Sequence, residues 1–323
     1  MKRIQSSFQS SIRGFHRFWF LQIDPYILDV FRIALGLFFT FYYVMLYPNW
    51  MLYYGPDGLN LQPLRELSQY NLSYPSLLLY IHSEWVIWMY YAFSLLCAVA
   101  LILGRLGKVP IVWLWVSNFS IMYKNLSVTN AEEQIMVMLL IYAIFLPLNR
   151  TCRCPVPWDR KSHASLQRHR KIVAWPLRLM QLHFALLYLV SLPFKLLTDW
   201  AWRDGTVVYY AVNSLVFSRW PGWEIYTWGN GFFSRFATYY TLTIELLFPL
   251  LVWWRPARVP VTLGLILLHI GIGLSLEGLL MFNLAAIVGA ISFFPSHRTR
   301  ALVVCCRRKR FVYRYRAANS TSN

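Results

Sequence analysis

The sequence has few charged residues and very few acidic ones. Of its 323 residues, 14% are charged and 58% are hydrophobic, and only 13 are Asp or Glu. About a quarter of the residues of an ordinary soluble domain are charged. The composition therefore excludes a disordered chain, a coiled coil and most soluble enzymes, and it is typical of a polytopic helical membrane protein.

Three further absences narrow the class. A structural zinc site usually takes its ligands from two matching pairs of residues. The five cysteines do not supply two such pairs, so no metal site is predicted. The apolar runs lack the period-two alternation of a membrane β-barrel. The first 25 residues lack the compact apolar core of a cleavable signal peptide, so none is expected.

What the sequence does contain is a series of apolar stretches, and crossing a bilayer takes about 17–25 residues. They predict an all-α integral membrane protein with about eight spans, at residues 26–47, 84–104, 109–123, 133–148, 173–197, 236–254, 259–276 and 279–295. The third and fourth spans are short. The predicted organisation is a basic or interfacial segment at 1–23, a transmembrane domain at 24–296 and a basic tail at 297–323.

Lys and Arg predict the orientation. With eight spans, 24 of the 31 basic residues lie on one side when Arg178, near the start of the fifth span, is counted with that side; five lie on the other side, and Arg32 and Lys195 lie within spans. Basic residues accumulate in cytoplasmic loops, so both termini are predicted to be cytoplasmic. The net charge of +18 is then a topology signal, and the expected partner is the lipid bilayer rather than nucleic acid.

Charged side chains inside a bilayer are costly and mark functional or structural sites. Asp29 and Arg32 lie three residues apart in the first span, where they share a helical face and favour a structural ion pair. Glu245 lies inside the sixth span. It must be protonated or paired, so a proton relay and a partner on another helix both stay open. Lys124, near the outer end of the third span, is expected to be solvated at the interface.

A lysine lies at the outer end of the fifth span, in the segment LPFKLLTDW. If the helix continues, Lys195 and Asp199 share a face. Two interpretations stay open: a desolvated amine that acts as a base, or a snorkelling lysine paired with Asp199. His269, in the seventh span, has no second histidine at helical spacing, so a hydrogen-bonded core histidine is expected.

The outer loop at 198–235 is rich in aromatic residues, including Trp200 and Trp202. An aromatic belt at the membrane interface is the expected explanation. If Lys195 is catalytic, these rings also suit a flat ligand such as a quinone.

Several segments resemble the HTTM-domain family, which includes the vitamin K-dependent gamma-carboxylase and bacterial proteins such as sporulation-delaying protein B. The segments are DPYILDVFRIALGLFF at 24–39, YYGPDGL at 53–59, AEEQIMVMLLIYAIFLPLNR at 131–150, KLLTDW at 195–200 followed by Gly205, and HIGIGLSLEGLLMFNLAAIVGAISFFP at 269–295. The resemblance covers roughly residues 24–295. In size, the chain is closer to sporulation-delaying protein B.

The resemblance implies an enzyme in which a lysine base deprotonates a reduced naphthoquinone of the vitamin K type. The implied base is Lys195, and His269 falls near a histidine that is important in the family. In the resulting hypothesis Asp199 orients or tunes Lys195 as a further catalytic residue, and Trp200, Trp202 and Gly205 bind the cofactor. An exported peptide or protein is the expected substrate, although the carboxylase manner of propeptide recognition is not expected here. Two alternatives stay open: a non-enzymatic accessory protein for maturation or export of a secreted peptide, and a transporter with Glu245 and His269 as a proton relay.

Overall fold

The apolar stretches are helical in a computed structural model of the chain, which describes residues 12–20, 22–23, 26–59, 76–125, 128–148, 172–220 and 228–295. In chain order, the helices within these residues are α1 (12–20), α2 (Tyr26–Leu46), α3 (Trp50–Tyr54), α4 (Glu84–Leu103), α5 (Val109–Lys124), α6 (Ala131–Phe145), α7 (Trp175–Thr198), α8 (Trp200–Arg203), α9 (Val207–Asn213), α10 (Trp228–Leu251), α11 (Arg255–Ser275) and α12 (Leu280–Ile291). Short 3₁₀ turns occupy Tyr47–Asn49 and Leu77–Leu79.

Each of the eight predicted apolar segments coincides with one long helix of the described residues, namely α2, α4, α5, α6, α7, α10, α11 and α12. The predicted all-α class is therefore confirmed. The clearest difference in bounds is at α10, which begins at Trp228, whereas the apolar segment was placed from 236. The extra turns contain Gly, Asn, Ser and Arg. Apolar length does not predict these turns, since helical backbone hydrogen bonds form without apolar side chains.

Four helical stretches of the described residues are long and apolar enough to cross a membrane: Tyr26–Tyr54, Glu84–Leu103, Trp175–Thr198 and Arg255–Ser275. A fifth apolar helix, α12, has only 12 residues. The outer surfaces of these helices carry large apolar side chains that a bilayer would cover, such as Leu37, Leu96, Val190, Leu267 and Leu274. Length, composition and surface together give an integral membrane protein with several helices in the bilayer.

The long helices form two packed groups. In the first, α2 packs on α4, α4 on α5 and α5 on α6; in the second, α7 packs on α10, α10 on α11 and α11 on α12. Contacts of α12 with α2 and α6 join the groups, as does the contact of α6 with α7. At the junction of α12 with α7, a Cβ on Gly289 would lie 2.2 Å from the ring of Phe184, so this close packing requires glycine.

The N-terminal flank also contacts the second group. Gln22–Ile23 (β1) pairs antiparallel with Ile172–Val173 (β2), and this two-residue pairing anchors the chain before α2 to the chain before α7. The ring of Phe18, on α1, lies 5.7 Å from that of Trp253. The predicted basic tail at 297–323 lies outside the described residues, as does the basic segment at 149–171.

Candidate functional site

A lysine and a glutamate from different helices form an ion pair near the end of α7. Lys195 Nζ donates to both carboxylate oxygens of Glu245, at 2.6 Å from Oε2. The Glu245 side chain is only 8% exposed and that of Lys195 is 23% exposed. The two residues lie in different predicted spans, and the structure brings them together across the α7–α10 interface.

The surroundings of Lys195 hold its ammonium group in place. Its Nζ also lies 4.7 Å from the ring centroid of Trp202, a distance at which an aromatic face attracts a cation. Ser191 lies one turn earlier on α7, and its Oγ is 3.1 Å from Tyr188 O and 3.4 Å from Glu245 Oε2. Its one hydroxyl proton is therefore shared between these two acceptors.

Asp199 has a different role from the one its spacing suggested. Helix α7 ends at Thr198, and the backbone of Asp199 is extended, with φ −136° and ψ 121°. Its Oδ1 accepts a hydrogen bond from Ala201 N at 2.9 Å, which makes Asp199 the N-cap of α8. Because the helix stops, the i, i+4 geometry needed to pair Asp199 with Lys195 is lost, and Lys195 pairs with Glu245 instead.

The residues expected to hold a ring are spread around the end of α7. Trp202 faces Lys195, whereas Trp200 is 56% exposed and its ring lies 6.1 Å from that of Tyr210. Gly205 has a φ of +83°, and a Cβ there would lie 2.9 Å from the ring of Tyr239. Glycine is therefore required for the turn after α8 and for its packing.

A second hydrogen-bonded chain runs beside the ion pair. Tyr188 Oη lies 2.8 Å from His269 Nε2, and His269 Nδ1 lies 2.7 Å from Asn283 Oδ1. Asn283 Nδ2 donates to Leu279 O at 2.6 Å, which fixes its Oδ1 as the acceptor. His269 therefore carries its proton on Nδ1, and Tyr188 donates to Nε2.

These two sets of polar residues meet on α7. Tyr188, Ser191 and Lys195 are spaced by three and four residues, so they lie on one face of the helix. That face is directed at α10 through Glu245 and at α11 through His269. The result is a polar strip within apolar helices, and polar residues in such a position make it the candidate functional site.

The segment after α9 closes over this end of the helices. Ser218 forms an antiparallel bridge with Leu276, Arg219 N donates to Ser275 O at 3.1 Å, and Glu277 N donates to Phe217 O at 2.7 Å. The loop after α9 is thus fastened to the turn between α11 and α12.

The other predicted polar residues lie in the first group of helices. Asp29 and Arg32 form an ion pair at 3.7 Å, as predicted. Arg32 Nη1 also donates to Leu101 O and, at 2.7 Å, to Ile102 O, so it caps the end of α4. Lys124 is 7% exposed and donates to Leu78 O at 3.3 Å; it is buried rather than solvated, because the turn at 77–79 covers it.

Several polar residues of the structure were missed from the sequence. Tyr188, Ser191 and Asn283 are neutral, so the cost of burying a charge in a bilayer does not distinguish them from their neighbours. A further buried group joins Tyr42 Oη to Glu133 Oε1 at 2.8 Å, with Asn118 Nδ2 donating to Glu133 O at 2.8 Å. The signal available for this group was the pair of acidic residues at the start of α6.

Exposed aromatic side chains lie near the end of α7, namely Phe194, Trp200 and Tyr210. Within the described residues, no group of three or more His, Cys, Asp or Glu lies together. The Lys195–Glu245 pair can donate a hydrogen bond from Nζ and accept one at its carboxylate.

No family model, no curated protein and no solved structure matches the chain. The class of the protein therefore follows from its fold and its site alone. That class is a helical integral membrane protein in which an ion pair between a partly exposed lysine and a buried glutamate adjoins a hydrogen-bonded Tyr–His–Asn chain.

Proposed function

We propose that all eight long helices cross the membrane and that both termini are cytoplasmic. The helical state of every predicted segment supports this count, and so does the placement of 24 of the 31 Lys and Arg residues on one side. Helices α5 and α6 have 16 and 15 residues, which is short for a span. The local bilayer would thin at these helices.

We further propose that the chain is a membrane-embedded enzyme of the HTTM, carboxylase-like class that uses a reduced naphthoquinone. The observation that carries this proposal is the Lys195–Glu245 pair beside the Trp202 ring. An ion pair inside a bilayer costs free energy because both charges must be desolvated. A role in proton transfer would explain why the pair is present. The pair lies at the same end of α7 as the outer loop.

The pair acts as one base rather than as a lysine alone. Ammonium with carboxylate and amine with carboxylic acid contain the same number of protons, so the two states differ only in where one proton lies. Accepting one more proton gives Lys195 as ammonium and Glu245 as acid. That proton neutralises the carboxylate, so the ammonium charge at Nζ is left as the counter-charge for an anion formed next to it.

The quinol site would be formed by Trp202 and Trp200, with Gly205 shaping the turn that carries them. When bound, a reduced naphthoquinone supplies a weakly acidic hydroxyl group and reducing equivalents for reaction with oxygen. Asp199 holds the start of α8, and therefore the position of Trp202, through its cap. His269 acts as a positioning residue that fixes Tyr188 on the same face of α7 as Lys195.

Quinone epoxide formation tests this function. Purified protein in lipid, supplied with reduced naphthoquinone and oxygen, is expected to form epoxide, and Lys195→Ala is expected to form none. Lys108→Ala is the matched control, because Lys108 is an exposed lysine that donates to Ile144 O in the first group of helices. Equal epoxide from wild type and Lys195→Ala would refute the proposal. Absence of epoxide from every protein, with peptide maturation intact in Lys195→Ala, would favour the accessory role.

Proton-coupled transport is a second candidate. The observation that favours it is that the Lys195–Glu245 pair and the Tyr188–His269 hydrogen bond share one face of α7. A proton relay across a bilayer uses such chains of ionisable side chains. Proteoliposomes with a pH gradient would show proton flux that Glu245→Gln blocks; absence of flux in wild type would exclude it.

A further inference from the structure

A cavity lies at the opposite end of α7 from the ion pair. Arg178 is in the first turns of this helix and Lys195 near its end, so 17 intervening steps of the helix separate them by roughly 25 Å. The cavity has a volume of about 540 Å³ and lies between the start of α7, the start of α11 and the residues after α12. It is therefore separate from the proposed quinol site.

The described part of the cavity wall is positively charged. Three arginines line it, Arg178, Arg255 and Arg258, and none of the described residues that line it is acidic. The Phe18 ring contacts the Arg178 guanidinium, and its centroid lies 5.1 Å from Arg178 Cζ. The positive charge of Arg258 repels that of Arg178, and the positive charge of Arg255 repels that of Arg258. Like charges gathered around one cavity are destabilising unless an anion neutralises them.

Hydrogen bonding in the wall also leaves a donor unused. Gln181, which is 4% exposed, donates to Ser292 O at 2.7 Å and accepts from Arg178 Nη1 at 3.1 Å. Within the described residues, the buried Nε of Arg178 has no hydrogen-bond partner. A buried unsatisfied N–H is costly, and an oxygen-rich anion in the cavity would satisfy it.

Two further features suit an anion of the size of a phosphate group. Helix α11, which is 21 residues long, begins at the cavity with Arg255 and Pro256, so its free N–H groups and its dipole add positive potential. Apolar residues complete the wall, among them Ile27, Leu177 and Phe293. A lining that combines guanidinium groups with apolar side chains suits a group that carries both phosphate and hydrocarbon.

We propose that this cavity binds a phosphate-bearing anion through Arg178, Arg255 and Arg258. Guanidinium groups bind phosphate oxygens in pairs of parallel hydrogen bonds. The phosphate comes either from the headgroup of an anionic phospholipid or from a free phosphate compound. In the eight-span topology the cavity lies on the cytoplasmic side, where anionic lipids are concentrated. The proposal does not depend on the chemistry at Lys195.

The test is ligand-dependent thermal stabilisation of the full-length protein in a neutral detergent. Three probes are compared at constant ionic strength: inorganic phosphate, short-chain phosphatidylglycerol, and short-chain phosphatidylcholine as the zwitterionic control. A ligand that binds only the folded state raises Tm in a concentration-dependent way. The variants are Arg258→Gln and Arg255→Gln inside the cavity, and Arg105→Gln as an exposed control with the same change of net charge.

We expect phosphatidylglycerol or phosphate to raise Tm in wild type and in Arg105→Gln, with an apparent Kd at least about tenfold weaker in both cavity variants. Arg255 is exposed, so Arg255→Gln keeps the test valid if Arg258→Gln, which loses a bond to Val252 O, fails to fold. Stabilisation by phosphatidylglycerol alone identifies a lipid headgroup, and stabilisation by phosphate as well identifies a free anion. Equal stabilisation of all four proteins, or stabilisation by neither anion, would overturn the proposal.

Discussion

Replacing the partners of the Lys195–Glu245 pair separately and together gives the most detailed prediction. Glu245→Leu leaves a lysine that is 23% exposed, and Lys195→Met leaves a glutamate that is 8% exposed. Removing one partner of a buried pair costs about 3–5 kcal/mol of folding free energy, because the remaining charge is uncompensated. We expect each single variant to be near the lower limit, since Trp202 still faces Lys195 and Ser191 Oγ still lies 3.4 Å from Glu245 Oε2.

The double variant Lys195→Met/Glu245→Leu is expected to cost less than either single variant. An apolar pair of similar volume replaces two charges that both had to be desolvated. The coupling energy between the two positions is then at least about 3 kcal/mol, the upper end of the range for residues in contact.

Unfolding by sodium dodecyl sulfate in mixed micelles, followed by circular dichroism, measures the four free energies of this cycle. The matched control cycle combines Lys195→Met with Glu84→Gln, because Glu84 is exposed at the start of α4. That cycle is expected to be additive within about 0.5 kcal/mol. If the Lys195–Glu245 cycle is also additive, the ion pair does not form in the membrane and the reasoning fails.

Three other predictions concern the turns and packing around the site. Asp199→Asn is expected to keep the stability and epoxide formation of wild type. Asp199→Ala is expected to lose about 1 kcal/mol of folding free energy because the cap of α8 is lost. Loss of activity in the Asn variant would instead assign a role to the negative charge of Asp199. Gly205→Ala is expected to destabilise more than Gly231→Ala, because both glycines have a φ near +80° but only a Cβ at Gly205 meets another side chain, and equal losses of Tm would contradict this. Gly289→Ala is expected to lower Tm strongly and Gly271→Ala only slightly, because a Cβ at Gly271 has nothing within 4 Å; similar Tm values for these two variants would show that α12 does not pack on α7 as described.

The positions of the helices could be predicted from the sequence because apolar length is a local property. Asp29 and Arg32 illustrate the same point at the level of a contact, since residues three apart on a helix must share a face. Lys195 and Asp199 show its limit. The spacing rule holds only while the helix continues, and the extended backbone at Asp199 ends it.

The composition of the site could be predicted only in part. Lys195, Glu245 and His269 stood out because ionisable residues are costly in a bilayer, but Lys195 and Glu245 are 50 residues apart in the chain. Their pairing depends on how α7 packs on α10, which no local pattern encodes. Ser191 and Asn283 are small neutral residues, so only the three-dimensional structure reveals their hydrogen bonds.

Epoxide formation by the Lys195→Met/Glu245→Leu double variant tests the central claim most directly. This variant is expected to stay folded, so a loss of activity reports on proton transfer rather than on unfolding. The account predicts quinone epoxide from wild type and from Lys108→Ala, and none from the folded double variant. Epoxide at the wild-type rate from the double variant would contradict the assignment of the Lys195–Glu245 pair as the proton acceptor.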